Sequence, residues 1–252
     1  MGQNRRKFIG SSVASIGMLG FSQGLQGMVN HPPDKKLKVV CVGGHPDDPE
    51  SGCGGTLAKM AAAGHAVSII YLTTGEAGIP GKGHAEAAVI RKAEALAACK
   101  ILQAKPVFAG QVDGDTVVNN EWTEKVILLI EAEKPDIVFT HWPVDSHKDH
   151  QAASMLTIQS WVRGGKKFDL YFFEVCLGEQ THIFHPTDFV DITSVREVKR
   201  KAVYCHQSQN PAGIYEADDC NHGTMEKFRG MEFGVKSAEA FVKCGSLKLT
   251  AK

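Results

Sequence analysis

The chain has 252 residues, long enough for one large domain that buries most of its apolar surface. Its 28 Lys and Arg balance its 28 Asp and Glu, so charge gives no reason to expect nucleic acid or an acidic membrane surface as a partner. Hydrophobic residues at 43% and charged residues at 22% are those of an ordinary globular protein and exclude a disordered or fibrous chain.

The N-terminus reads apart from the rest. Asn4-Arg5-Arg6-Lys7-Phe8-Ile9-Gly10 precedes a mildly apolar, Gly- and Ser-rich stretch running to about Gly20. A charged start followed by an apolar run is a secretory pattern and is set aside from the fold. Paired arginines before Lys-Phe-Ile resemble the twin-arginine export address, so that machinery is expected as a transient partner, the alternative being a general secretion signal that happens to contain Arg-Arg; either puts the location in the periplasm or otherwise outside the cytoplasm. The run is short and broken by glycine, which argues against a permanent membrane anchor, although an uncleaved signal would tether the protein. The expected division is residues 1–30 for the signal and start of the linker, and 31–252 for a single domain. Seven cysteines at 41, 53, 99, 176, 205, 220 and 244 form no Cys-x-x-Cys pair; odd in number and scattered, they read mostly as buried small hydrophobes rather than a disulfide scaffold.

Strand and helix signals then alternate. Leu37–Val42 is an apolar strand, ending at Gly43-Gly44 and the cluster His45-Pro46-Asp47-Asp48-Pro49-Glu50. A helix is expected over Thr56–Gly64 and a strand over Ala66–Leu72. A second helix, His84–Leu102, carries Ile90, Ala93, Ala97 and Ile101 on what reads as its packing face. Pro106–Phe108 is a short strand, Trp122–Glu133 a helix stopped before Pro135, and Asp136–Thr140 a strand. That strand leads into a second cluster, His141-Trp142-Pro143-Val144-Asp145-Ser146-His147-Lys148-Asp149-His150, and a helix over His150–Trp161. Further on, Asp169–Val175 and Phe189–Ile192 read as strands, and Ser194–His206 and Met225–Met231 as helices. This alternation predicts an α/β fold: a Rossmann-like, mainly parallel sheet with helices on both faces. The glycines do not spell a nucleotide site, since neither Gly-x-Gly-x-x-Gly nor a Gly-Lys-Ser/Thr loop is present.

Both imidazole and carboxylate clusters follow strands, and in open α/β sheets ligands bind at the carboxyl ends of strands. His45 and Asp48 are three residues apart, and His150 offers a third ligand. Two histidines, one carboxylate and an open position form a catalytic zinc set. Asp47, left beside the metal, suits a general base. His147 faces the same site as acid or oxyanion stabiliser, with Asp149 expected to orient it and raise its pKa.

The residues His45-Pro46-Asp47-Asp48-Pro49-Glu50 with Gly54-Gly55-Thr56, and later His147-Lys148-Asp149-His150, resemble the two signature motifs of the PIG-L/LmbE-like de-N-acetylases. Further matches are Arg91 with Glu94, Asp113-Gly114, Asp191-Ile192-Thr193, His206-Gln207-Ser208-Gln209 and Ala238-Glu239-Ala240-Phe241, so the likeness covers most of the chain after the signal. The resemblance implies a Rossmann-like fold and zinc-dependent removal of acetyl groups from N-acetylglucosamine-type sugars or conjugates. It implies His45, Asp48 and His150 as zinc ligands, Asp47 as base, and His147 as acid or oxyanion stabiliser. Arg91 matches a position the family uses for substrate contact, and Glu50, Asp113 and His206 are further candidates for substrate binding. Pro49 departs from the small residue usual there. The alternatives are a metal-dependent hydrolase of another amide or an ester, and a non-catalytic sugar-binding protein on the same fold. Asp47 and His147, unnecessary for holding metal alone, argue against the last.

Overall fold

The computed structural model describes residues 35–175, 180–216 and 221–245. The export-type N-terminus, Cys176 and Cys220 lie outside the described residues. Seven strands and seven α-helices are described: β1 (Lys38–Gly43), α1 (Asp48–Ala62), β2 (Ala66–Tyr71), α2 (His84–Leu102), β3 (Ala104–Phe108), α3 (Asn120–Glu133), β4 (Ile137–His141), α4 (Lys148–Arg163), β5 (Asp169–Phe173), β6 (Asp188–Asp191), α5 (Arg196–Val203), α6 (Pro211–Glu216), α7 (His222–Phe233) and β7 (Ala238–Lys243).

The strands form one sheet in the order β3-β2-β1-β4-β5-β7-β6. β1 to β5 run parallel, while β7 pairs antiparallel with both β5 and β6. The expected mainly parallel sheet is therefore present. Alternate residues of β1 face opposite layers, as a strand's period of two requires. Val39 and Cys41 pack with Leu57 and Met60 of α1, Ala95 and Leu102 of α2, and Ala202 of α5. Val40 and Val42 pack with Val126 and Ile130 of α3 and Leu156 of α4. Cys41, Cys53 and Cys99 are buried free thiols, as a role as small hydrophobes requires.

Three local expectations are revised. α1 begins at Asp48, eight residues before the expected Thr56, because Asp47 serves as its N-cap and proline is tolerated in the first turn. α2 buries Ala87, Arg91, Ala95, Ala98 and Leu102, a face of small residues that lets the helix lie close, rather than the face with Ile90, Ala93, Ala97 and Ile101. β7 and α6 were not anticipated. β7 carries Glu239 in an otherwise apolar run, and that buried carboxylate disguises a strand lying inside the sheet.

The chain order reverses between β1 and β4: β1 is followed on one side by β2 and β3, and β4 on the other by β5. A crevice opens at the carboxyl ends of strands where that happens. The first histidine cluster follows β1 and the second follows β4.

Candidate active site

β1 ends in Gly43-Gly44, and the Gly44 N–H donates to His141 Nε2 (3.1 Å) at the end of β4, joining the two strand ends. Asp48, at the start of α1, stands between two imidazoles: its Oδ2 is 3.2 Å from His45 Nδ1, and its Oδ1 is 3.2 Å from His150 Nε2. The far nitrogen of each ring is held by carboxylates. His45 Nε2 lies 3.0 Å from Asp149 Oδ2 and 3.1 Å from Asp113 Oδ1. His150 Nδ1 lies 3.2 Å from Asp145 Oδ1. A carboxylate on the outer nitrogen fixes tautomer and ring orientation, leaving His45 Nδ1 and His150 Nε2 directed at Asp48.

His147 is the N-cap of α4, and its Nδ1 accepts the Asp149 N–H at 3.3 Å. That hydrogen bond places the ring proton of neutral His147 on Nε2. Asp145 accepts the His147 N–H and braces His150.

Seven of the ten residues singled out in the sequence line one cavity of about 400 Å3: His45, Asp47, Asp48, Arg91, Asp113, His147 and His150. Three corrections follow. Asp149 does not orient His147 through its carboxylate, which is fully buried and accepts from Gly114 N (2.8 Å) and Thr116 Oγ1 (2.6 Å) while bracing His45. Glu50 and His206 are fully buried and lie outside the cavity wall, so neither is placed to meet a substrate. Arg91 does line the cavity, but its guanidinium serves the protein: it donates to the carbonyls of Gly75 (3.1 Å) and Pro46, and to Asp47 Oδ2 (3.1 Å). Gly75 makes that approach possible, since it sits at φ +66° and a Cβ there would lie 2.1 Å from Arg91 Nη1.

Sequence reasoning passed over several wall residues: Ser51, Gly78, Gln180, Ile214 and His222. Asp145, two residues before His147, was given no role of its own. His141, set aside as a ligand in the sequence, is stacked on His150 with ring centroids 4.0 Å apart; its Nε2 accepts the Gly44 N–H and lies 3.3 Å from Asp48 Oδ2, so Asp48, His141 and His150 form a further group whose atoms could hold a cation. Trp142 packs on Phe172 and Phe184 rather than lining the cavity.

The electrostatics show what this arrangement lacks. Burial opposes ionisation of Asp48, but His150 and His141 outweigh it and hold the carboxyl well below its usual range. Burial also disfavours charge on His45, yet Asp113, Asp149 and Asp48 raise it well above the usual imidazole value. His150 is likewise pushed up to about 9 against burial by Asp48 and Asp145. Four carboxylates thus draw protons onto the two rings that flank Asp48, so the cluster attracts positive charge where a cation would be held. The donor set is one carboxylate and two imidazoles with outer carboxylate braces, and it fits a divalent transition metal with open positions for water or substrate. Asp47 differs: burial, moderated by Arg91, pushes its carboxyl up to about 6. His147 was expected to be raised by Asp149, but burial together with His45 and His150 lowers it.

A switch-point crevice in an α/β sheet, walled by a His/Asp cluster whose donors suit a cation and by the Asp47 carboxylate, has the make-up of a hydrolase active site. Residues 40–161 match the model of a family described as PIG-L, GlcNAc-PI de-N-acetylase. The diacetylchitobiose deacetylase of Thermococcus kodakarensis is 31% identical over 229 residues, covering 84% of this chain and 84% of that protein. The chain belongs to the PIG-L deacetylase family. The structure of the N,N'-diacetylchitobiose deacetylase from Pyrococcus horikoshii, bound to its inhibitor MPG, superposes with a TM-score of 0.74 at 26% identity, covering 88% of this chain and 86% of that one. A 4-oxalmesaconate hydratase of Pseudomonas putida is 28% identical over 196 residues, 70% of this chain and 75% of its own.

Proposed function

We propose that the protein is a zinc-dependent hydrolase that removes the acetyl group from an N-acetylglucosamine-type sugar or conjugate. The observation that carries this reading is Asp48 standing between His45 Nδ1 and His150 Nε2, both rings braced from behind, with Asp47 on the wall of the same cavity. His45, Asp48 and His150 would hold the zinc, which supplies Lewis acidity for a water molecule and an amide carbonyl.

The chain's own groups account for the proton transfers. Asp47, with its pKa pushed up to about 6, is ionised at neutral pH yet basic enough to take a proton from the attacking water. Arg91 fixes the direction of that carboxylate through its hydrogen bond to Oδ2. Neutral His147 presents Nε2–H to the cavity and donates a hydrogen bond to the developing oxyanion, while the proton that Asp47 takes from the water passes on to the leaving amine. A cavity of about 400 Å3 is large enough for a sugar ring together with part of its aglycone.

The test is acetate release from N,N'-diacetylchitobiose and N-acetylglucosamine, with and without a chelator, alongside elemental analysis. Chelator-sensitive acetate release with about one zinc per chain is expected. Absence of acetate release by the metal-loaded protein, or hydration of an unsaturated acid in its place, would reject the reading. We also propose that the Arg5-Arg6 start addresses the protein outside the cytoplasm. Arg5→Lys with Arg6→Lys should then retain it inside, and undiminished export of that double variant points to the general secretory route.

A further inference from the structure

Asp47 sits at φ 112° and ψ −32°, in a part of backbone space that L residues seldom adopt. An ordinary N-cap is extended, so this one is strained, and such strain persists only where the surroundings over-determine it. Two clamps act on it. On the cavity side, Arg91 holds the Pro46 carbonyl and the Asp47 carboxylate. On the core side, Glu50 Oε2 accepts the Asp47 N–H at 3.2 Å.

Glu50 occupies the third position of the helix, where a glutamate commonly reaches back to the N-cap amide. Such a glutamate is normally at the surface. Here Glu50 is 0% exposed, and a buried carboxylate is costly unless its lone pairs are filled. Its other oxygen accepts the Tyr71 hydroxyl at 2.5 Å and lies 3.4 Å from His206 Nε2. Tyr71 and His206 are also fully buried, and they come from β2 and from the segment just after α5. Two distant parts of the chain therefore converge on the carboxylate that holds the Asp47 amide, and none of the three side chains reaches the cavity wall.

We propose that Glu50, supported by Tyr71 and His206, is a positioning residue that holds Asp47 in its strained conformation and so aims the Asp47 carboxylate into the cavity. Its effect on turnover rests on the proposed role of Asp47 as general base; its effect on the backbone does not.

The experiment compares Glu50→Ala, Glu50→Gln and wild type in kinetics, metal content and crystal structure. Glu50→Ala should keep its metal and lower kcat on N,N'-diacetylchitobiose by ~10- to 100-fold with KM unchanged, since a small misplacement of a catalytic group costs that much. In its crystal structure the Asp47 φ should leave the positive region. Glu50→Gln keeps an oxygen that can accept the Asp47 N–H, so it should recover most of kcat. A raised KM with kcat intact would make Glu50 a substrate contact, and an Asp47 φ still positive in Glu50→Ala would show that the clamp is not needed; either overturns the proposal. Should Glu50→Ala not fold, Tyr71→Phe takes its place, with a several-fold fall in kcat at constant KM expected and an unchanged kcat overturning the proposal. Should the wild type release no acetate, the proposed reaction fails, and the Asp47 φ in the variant alone decides this inference.

Discussion

Two buried polar clusters pack against the same helix, α1, and they differ in what their groups have left to offer. At its N-terminus stand His45, Asp48 and His150 beside a cavity. Beneath its Gly54-Gly55-Thr56 turn lies fully buried Lys199, whose Nζ is 2.8 Å from Glu239 Oε1 and 3.6 Å from Glu226 Oε2. Glu239 also accepts the N–H groups of Gly55 (2.8 Å) and Thr56 (2.7 Å), and Tyr215 donates to Glu226 at 2.9 Å. The second cluster is closed: Arg196, paired with Glu226, and Lys199 match the two carboxylates, whose oxygens are taken up by fixed donors. The first has more carboxylate than cation, ring nitrogens converging on Asp48, and an opening to solvent. Burial of charge alone does not mark a site; an imbalance that faces a cavity does.

The largest effect that would break this comparison is expected at the open cluster. His150→Ala should lose bound metal and lower turnover by at least ~1,000-fold, several kcal/mol of transition-state stabilisation. Elemental analysis decides it, and metal retained at full stoichiometry would remove His150 from the ligand set. Asp47→Asn should keep its metal and lose ~100-fold in kcat, because a proton acceptor is removed while the three ligand candidates remain. Loss of metal in that variant would instead make Asp47 a ligand.

At the closed cluster the sign reverses. Glu239→Ala leaves Lys199 buried beside one more distant partner, which costs about 3–5 kcal/mol of stability. Urea unfolding reads that loss, while kcat of the folded fraction should hold. A fall in kcat at full folding would show that the two clusters are coupled.

The smallest effect sharpens the boundary. His222 lies between the clusters: burial and Lys199 hold its imidazole down to about 3, with Asp48 and His150 acting on it from the other side. The unfolded imidazole titrates near 6.5, so the unfolded chain binds more protons below that pH and stability falls as pH drops. At pH 5 this one group removes about 2 kcal/mol relative to pH 7. His222→Asn should lessen the difference in unfolding free energy between those two pH values, and an unchanged difference would place the titration elsewhere.

The alternating strands and helices were legible because their apolar periodicities are strong, and His84–Leu102 was read to both ends. β7 was not, since Glu239 interrupts its pattern for a partner, Lys199, forty residues away that no local rule connects. In the site, which residues come together was legible and their direction was not. His45, Asp48 and His150 stand together because both motifs follow strands that adjoin at the switch point. Glu50 and His206 carry the same chemistry in sequence, yet they face the core because Tyr71 and the Asp47 amide draw the carboxylate inward. Asp149 was assigned to its sequence neighbour His147, whereas its carboxylate braces His45, 104 residues earlier.

That last brace has a bearing on how the protein is made. As the chain leaves the ribosome, His45 and Asp48 emerge a hundred residues before the carboxylate that steadies the first of them and before the imidazole of His150. No nascent fragment ending ahead of α4 holds a complete set of cation ligands. Capture of the proposed zinc would therefore signal that both halves of the parallel sheet have met, and a cation that binds only the finished fold adds its binding energy to the stability of the whole.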